Sequence, residues 1–123
     1  MQQVQRNGSR IGVHIIADFW GGKVVESYRE LKDLLTKAAK RGKNTPLKFV
    51  LHKFSPQGIT GVVLLAESHI ALHTWPEFQY IAIDIFTCGK NSKPEEALKF
   101  LQGELRPKRT RVRKIKRGNA SSM

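Results

Sequence analysis

ITGVVLLAESHIALHTWPEFQYIAIDIFTCG, residues 59–89, is the stretch that decides the fold. The β-branched residues at its start and the aromatic residues farther on favour strands over a helix. Residues 59–75 fit two strands or one long bent strand, a Pro-Glu pair interrupts the run, and residues 78–89 fit another strand. Alternation within this last strand places Tyr80, Ala82, Asp84 and Phe86 on one face, and Gln79, Ile81, Ile83 and Ile85 on the other.

Helices are predicted on both sides of this stretch. Apolar residues recur with helical spacing within residues 25–41, and Gly42 is placed to end that helix. Ser27 begins it with a capping box. A second helix is expected to start with Ser92 as its N-cap and to end near Leu105. Further strands are predicted at residues 11–20, 47–54 and 110–118.

The order of these elements predicts the fold class. It is β-α-β-β-β-β-α-β, and hairpins between the two helices favour an antiparallel sheet. We therefore expect one α+β domain over residues 1–123, a two-layer sandwich with an antiparallel sheet and both helices on one face. The first ten residues and the last six are polar and are expected to be loosely held.

Charge and cysteine content restrict the possible functions. The net charge is +12, and eight of the 22 Lys and Arg residues lie in residues 106–117, which contain no acid. Such a run can bind nucleic acid or anionic lipid, but a strand with a charged, solvated outer face is the more ordinary alternative. A single cysteine excludes an internal disulfide. No apolar run could cross a bilayer and the start, MQQVQRNGSR, does not resemble a signal peptide, so we expect a cytoplasmic protein without a membrane partner.

Residues 67–77, ESHIALHTWPE, carry more polar side chains than packing alone needs. In an extended chain Glu67, His69, His73 and Glu77 share one face, while Ser68 points to the other. Burying two imidazoles and a carboxylate only for packing would be costly. The segment is therefore either a half-exposed strand whose polar groups are satisfied or a functional site.

Four blocks with characteristic spacing resemble a known family. They are HKFSPQGITGVV (52–63), ESH (67–69), HTWPE (73–77) and DIFTCG (84–89). Together they resemble the bacterial and archaeal S-adenosylmethionine decarboxylase proenzymes, over most of residues 11–117. The first strand fits more loosely: His14 and an acid near Asp18 agree, but Val13 stands where a basic residue is common.

The resemblance implies that the chain cleaves itself. Ser68 Oγ attacks the Glu67 carbonyl, replaces the peptide bond by an ester, and elimination then leaves a pyruvoyl group at the new chain start. His73 is the implied base for the elimination. Thr60 stands at a family hydroxyl position that assists processing. The two products would be residues 1–67 and 68–123.

The resemblance also implies the catalytic roles. The pyruvoyl cofactor would form a Schiff base with the amine of S-adenosylmethionine and accept electrons as carbon dioxide leaves, which yields the aminopropyl donor for spermidine synthesis. Cys88 is the implied proton donor, although it also fits a buried structural thiol. Glu77 would bind the ribose hydroxyls and Phe54 the adenine and sulfonium. Trp75 would complete the pocket or serve as plain core, and His69 has no implied catalytic part.

The resemblance implies a dimer with the site between subunits, so that Phe54 would serve the partner's pocket. Three alternatives remain open at this point. The same fold and cofactor could decarboxylate arginine or ornithine. The basic run could make the chain a nucleic-acid-binding module. His69, His73 and Cys88 could hold a metal, although on a strand the two histidines would lie roughly 13 Å apart.

Overall fold

A computed structural model describes residues 10–119, and the element order is the predicted one. Our expectation of loosely held termini falls largely on residues 1–9 and 120–123, which lie outside the described residues. Predicted strand and helix bounds agree to within a few residues, and residues 59–75 form two strands. The elements are β1 Arg10–Trp20, α1 Tyr28–Arg41, β2 Pro46–Lys53, β3 Ile59–Leu65, β4 Ser68–Trp75, a short 3-10 turn Pro76–Phe78, β5 Tyr80–Cys88, α2 Pro94–Leu105 and β6 Arg109–Asn119.

The six strands form one antiparallel sheet in the order β2-β3-β4-β5-β1-β6. α1 packs on β2 and β3, α2 packs on β5 and β1, and the helices contact each other. One face of the sheet is therefore covered by helices and holds the apolar core, and the other face is open. The predicted α+β two-layer sandwich is confirmed. Within residues 10–119, the helices are too short or too polar to cross a membrane.

Three of the four helix ends lie where the sequence predicts them. Ser27 Oγ accepts a hydrogen bond from the Glu30 N–H at 3.0 Å, and Gly42 is the C-cap of α1. α2 ends at Leu105. The prediction that Ser92 caps α2 is wrong, because Lys93 is the N-cap and no side chain caps this end. The Ser92 hydroxyl instead donates to Asn44 Oδ1 at 3.0 Å, across the gap between two loops.

Residues 109–117 of the basic run lie in β6, an edge strand of the sheet. Its register with β1 places arginines on the open face, and two of them lie over aromatic rings. The guanidinium carbon of Arg109 is 4.1 Å from the ring centre of Trp20, and that of Arg117 is 5.0 Å from Phe86. A charged edge also discourages pairing with strands of other chains. The structure thus gives the run a place in the sheet.

Candidate active site

The two-residue turn between β3 and β4 places Glu67 and Ser68 against the end of β5. The Cys88 backbone N–H donates to the Glu67 carbonyl oxygen at 3.0 Å. The Cys88 thiol donates to the same oxygen, with an S···O distance of 3.2 Å. We call Glu67, Ser68 and Cys88 the turn cluster. Two donors thus polarise the carbonyl of the peptide bond that precedes Ser68.

The backbone at Ser68 is strained. Its φ is 146°, one of four positive values at non-glycine positions among the described residues. Conformations in this region cost on the order of 1–3 kcal/mol for a residue with a Cβ. The ladder pairs of Ser68 with Leu65 and Thr87 hold the residue there. Backbone strain of this kind is concentrated at functional sites.

The Cys88 thiol is only 5% exposed. Burial raises its pKa, and the nearby Glu67 carboxylate raises it further. The thiol therefore keeps its proton at neutral pH and can donate it. A cavity of about 190 Å³ opens beside the turn cluster, lined by Glu67, Cys88, Lys43 and the loop at residues 89–92.

A second group of predicted site residues lies at the other end of the same hairpin. We call Phe54, Thr60, His73, Trp75 and Glu77 the strand-end cluster. Thr60 and His73 face each other across β3 and β4, and the hydroxyl lies 3.0 Å from His73 Nδ1. Glu77 is exposed on the 3-10 turn, and the Phe54 and Trp75 side chains are 52% and 40% exposed. These exposed rings can contact a ligand or another chain.

An aromatic row extends the strand-end cluster across the open face. Ring centres are 6.3 Å apart for His73 and Trp75, 5.3 Å for Trp75 and Tyr80, and 5.5 Å for Tyr80 and Trp20. The Tyr80 hydroxyl donates to an Asp18 carboxylate oxygen. Burial, followed by this hydrogen bond, raises the pKa of Tyr80 to about 12. Sequence reasoning gave no site role to Trp20 or Tyr80, because only the β1–β5 register brings them together.

The structure does not bring the two clusters together within one copy. Ser68 pairs with Leu65 at one end of the β3–β4 hairpin, and His73 pairs with Thr60 at the other. Five residues of strand separate Ser68 from His73, which is roughly 16 Å at the usual rise of a strand. The predicted base therefore cannot reach the Ser68 α-proton of its own chain.

His69 lies on the open face close to the turn cluster. Its ring centre is 5.9 Å from that of Phe86. Burial lowers the pKa of His69, and nearby His14 lowers it further, so the imidazole is held neutral. Both His69 and His73 lie on a strand. Between residues 10 and 119 there is no group of three or more His, Cys, Asp or Glu side chains that could hold a metal ion.

The chain is similar to known proteins of one family. A family model described as S-adenosylmethionine decarboxylase matches residues 13–118, which include both clusters. The S-adenosylmethionine decarboxylase proenzyme of Methanococcus maripaludis is 43% identical over 111 residues, 89% of this chain and 91% of the relative. The proenzyme of the same name from Parasynechococcus marenigrum is 51% identical over 87 residues, 71% of this chain and 68% of the relative.

A solved structure is also similar. The crystal structure of the adenosylmethionine decarboxylase from Aquifex aeolicus has a TM-score of 0.83 and 38% sequence identity. The match covers 89% of this chain and 92% of that one.

Proposed function

Because this chain belongs to the S-adenosylmethionine decarboxylase family, we propose that it decarboxylates S-adenosylmethionine with a pyruvoyl group made from its own Ser68. The observation that carries the proposal is the turn cluster. Two donors from Cys88 meet the Glu67 carbonyl, and the residue that follows is the strained Ser68. This arrangement supports attack by the Ser68 hydroxyl on that carbonyl.

The proposed self-cleavage balances in three steps. Ser68 Oγ bonds to the Glu67 carbonyl carbon, and the C–N bond of the peptide breaks, which leaves an ester and a free amine. Negative charge develops on the Glu67 oxygen in this step, where the Cys88 N–H and thiol stabilise it. A base then removes the Ser68 α-proton, the bond from the Ser68 β-carbon to the ester oxygen breaks, and the backbone carboxylate of Glu67 leaves as the new C-terminus. The resulting dehydroalanine takes up water and loses ammonia to become the pyruvoyl group.

The proposed base is His73 of a second copy of the chain. Within one chain His73 lies too far from Ser68, so the site is incomplete without a partner. In this proposal the His73 Nδ1–H donates to the Thr60 hydroxyl oxygen, which fixes the ring orientation and leaves the unprotonated Nε2 to take the proton. A homodimer in which the turn cluster of one copy meets the strand-end cluster of the other satisfies both requirements.

The pyruvoyl ketone supplies an electron sink for loss of carbon dioxide. Residues of the chain are proposed to donate the proton and to bind the substrate. Cys88, whose raised pKa keeps the thiol protonated, is the proposed donor of the proton that replaces carbon dioxide. Glu77 is proposed to accept hydrogen bonds from the ribose hydroxyls. Phe54 and Trp75 are proposed to contact the adenine and the sulfonium, which an aromatic face attracts.

The strand-end cluster favours S-adenosylmethionine over the arginine and ornithine alternatives. An aromatic row on the open face suits a purine ring, which S-adenosylmethionine carries and neither arginine nor ornithine does. The product would serve as an aminopropyl donor for spermidine synthesis. A cytoplasmic location is part of the proposal, because the single cysteine is a free thiol and thiols persist in a reducing compartment.

The intact mass of the purified protein tests the proposal. We expect two fragments, 1–67 and 68–123, the second lighter by one ammonia than the same fragment with an N-terminal serine. Ser68→Ala should remain a single chain and release no carbon dioxide from S-adenosylmethionine. An undivided wild-type chain would contradict self-cleavage. Faster release from arginine or ornithine than from S-adenosylmethionine would contradict the proposed substrate.

A further inference from the structure

One loop holds the Glu67 side chain, Cys88 at the start of a second loop holds the Glu67 carbonyl, and the two loops are tied together. We propose that the pair Asn44–Ser92, which makes this tie, positions the Glu67–Ser68 peptide bond for self-cleavage. We call the two loops, residues 42–45 and 89–93, the loop clamp. The inference rests on the proposed function and adds two positioning residues that lie outside both clusters.

The first loop of the clamp holds the Glu67 side chain. The Thr45 backbone N–H donates to Glu67 Oε1 at 3.1 Å. The Thr45 carbonyl accepts from the Ala66 N–H at 2.9 Å, one residue before Glu67. These two contacts hold Ala66 and Glu67, the two residues of the turn. The direction of the Glu67 side chain therefore depends on where residue 45 lies.

The second loop of the clamp follows the group that holds the Glu67 carbonyl. Cys88 donates its N–H and its thiol proton to that carbonyl, and the loop begins at the next residue. The Ser92 N–H donates to the Gly89 carbonyl and closes the loop on itself. Movement of this loop would shift the two donors relative to the carbonyl that Ser68 attacks.

Asn44 and Ser92 connect the two loops. Asn44 is 5% exposed, and its side chain makes two hydrogen bonds. Its Oδ1 accepts from the Ser92 hydroxyl at 3.0 Å, and its Nδ2 donates to the Gly42 carbonyl at 3.1 Å. A backbone bond from the Lys93 N–H to the Gly42 carbonyl, 2.7 Å, runs beside this pair. Leaving a buried Asn44 oxygen without its donor would loosen the connection.

A closed circuit results, from Glu67 through Thr45, Asn44 and Ser92 to Cys88 and back to Glu67. The circuit holds Glu67 both by its side chain and by its carbonyl, and so fixes the position of the carbonyl that Ser68 is proposed to attack. Nucleophilic attack depends steeply on such geometry, since small displacements of reacting atoms cost large factors in rate. The clamp therefore controls the first step of cleavage, the shift from peptide to ester.

The test measures the rate at which freshly synthesised precursor disappears, with and without hydroxylamine, which cuts esters. For Ser92→Ala we expect cleavage to slow about tenfold, the scale of one lost buried hydrogen bond. Hydroxylamine should not restore the rate, because the ester itself forms slowly. Ser92→Thr keeps the hydroxyl and should cleave close to the wild-type rate. Once cleaved, Ser92→Ala should keep the wild-type KM for S-adenosylmethionine, because Ser92 bonds to Asn44 and not to the strand-end cluster that is proposed to bind the substrate.

Ser27→Ala is the matched control. It also removes one side-chain hydrogen bond, at the opposite end of α1 and away from the clamp. Thermal unfolding of each precursor on a Ser68→Ala background shows whether the two variants lose similar stability. Equal slowing by Ser27→Ala and Ser92→Ala, or wild-type cleavage by Ser92→Ala, would overturn the clamp and leave the proposed function intact. A wild-type chain that never cleaves would overturn both.

Discussion

The two clusters differ in how much of the chemistry each holds within one chain. The turn cluster is half-buried to buried, and both Cys88 donors lie within hydrogen-bond reach of the Glu67 carbonyl. The strand-end cluster is exposed, and the one side-chain hydrogen bond described within it joins Thr60 to His73. A cluster whose members are hydrogen-bonded to one another suits a reaction of the chain with itself. An exposed cluster of rings and a carboxylate suits binding of something from outside.

The proposed function requires the two clusters to meet. Neither cluster alone holds the proposed nucleophile, the proposed base and the proposed binding surface, and the two lie at opposite ends of one hairpin. The open face carries both the aromatic row and half-buried side chains of β4 and β5. Two copies related by a twofold axis would bring each cluster to the other twice.

Mixing two impaired variants tests whether the two clusters of one site come from different copies of the chain. This experiment has the largest expected effect. Ser68→Ala removes the proposed nucleophile and should stay uncleaved, and His73→Ala removes the proposed base and should cleave at least about 100-fold more slowly than the wild type. In co-expressed chains, the His73→Ala copy keeps Ser68 and receives an intact His73 from its partner. Random pairing should then restore about one quarter of the sites, as counted by carbon dioxide release.

The control for this experiment is a double variant, Ser68→Ala with His73→Ala, mixed with Ser68→Ala. No copy then carries Ser68, so no activity should appear. An active mixture of the two single variants, with a silent control, requires a shared site. A silent mixture whose chains do form dimers would place the base within the same chain and refute the division.

His73→Ala alone should separate the steps of cleavage. The turn cluster is intact, so the ester should form, but the base that completes the elimination is missing. We expect cleavage to slow by about 100-fold or more, the low end of general acid–base effects. Hydroxylamine should cut the accumulated ester and leave a fragment that begins with an unmodified serine. Resistance to hydroxylamine would instead assign His73 to the first step.

The fold was predictable because local signals agreed with one another. Alternation assigned the faces of β5 correctly, and Ser27 and Gly42 marked the ends of α1. The one failed cap shows the limit of such signals. Ser92 lies two residues before Pro94, where α2 begins, but its hydroxyl donates a hydrogen bond to Asn44, a residue far away in sequence. No local pattern can reveal that competing partner.

The sequence predicts the site as a set of residues but not its geometry. The spaced blocks predict Ser68, Cys88 and His73 as site residues; the family match supports the resemblance that the blocks carry, and the roles of these residues stay predictions. The distance between Ser68 and His73 follows only once β4 is one continuous strand. Tyr80 and Trp20 joined the aromatic row through strand register, which depends on pairing between distant segments.

Glu77→Gln and Phe54→Ala test the proposed binding of substrate by the strand-end cluster, and their expected effects are smaller. Both residues lie in the strand-end cluster but take no part in the proposed cleavage, so these precursors should divide at the wild-type rate. We expect KM for S-adenosylmethionine to rise about tenfold in each, the scale of one charged hydrogen bond or one stacked ring. Steady-state assays on fully cleaved protein measure this. Slowed cleavage in either variant would give the strand-end cluster a further part in processing.

The smallest effect concerns the protonation of Cys88 in the turn cluster. On a Ser68→Ala background, the rate of thiol alkylation against pH should have its midpoint above the ordinary thiol pKa, because burial and then the Glu67 charge raise it. Since the unfolded chain releases this proton more readily, the free energy of unfolding should fall as pH rises beyond that ordinary value. Adding Glu67→Gln should lower the midpoint only partly, because burial, the larger cause, remains. A midpoint at the ordinary value would mean that the thiol is solvated, and the turn cluster would lose the protonated donor on which its role depends.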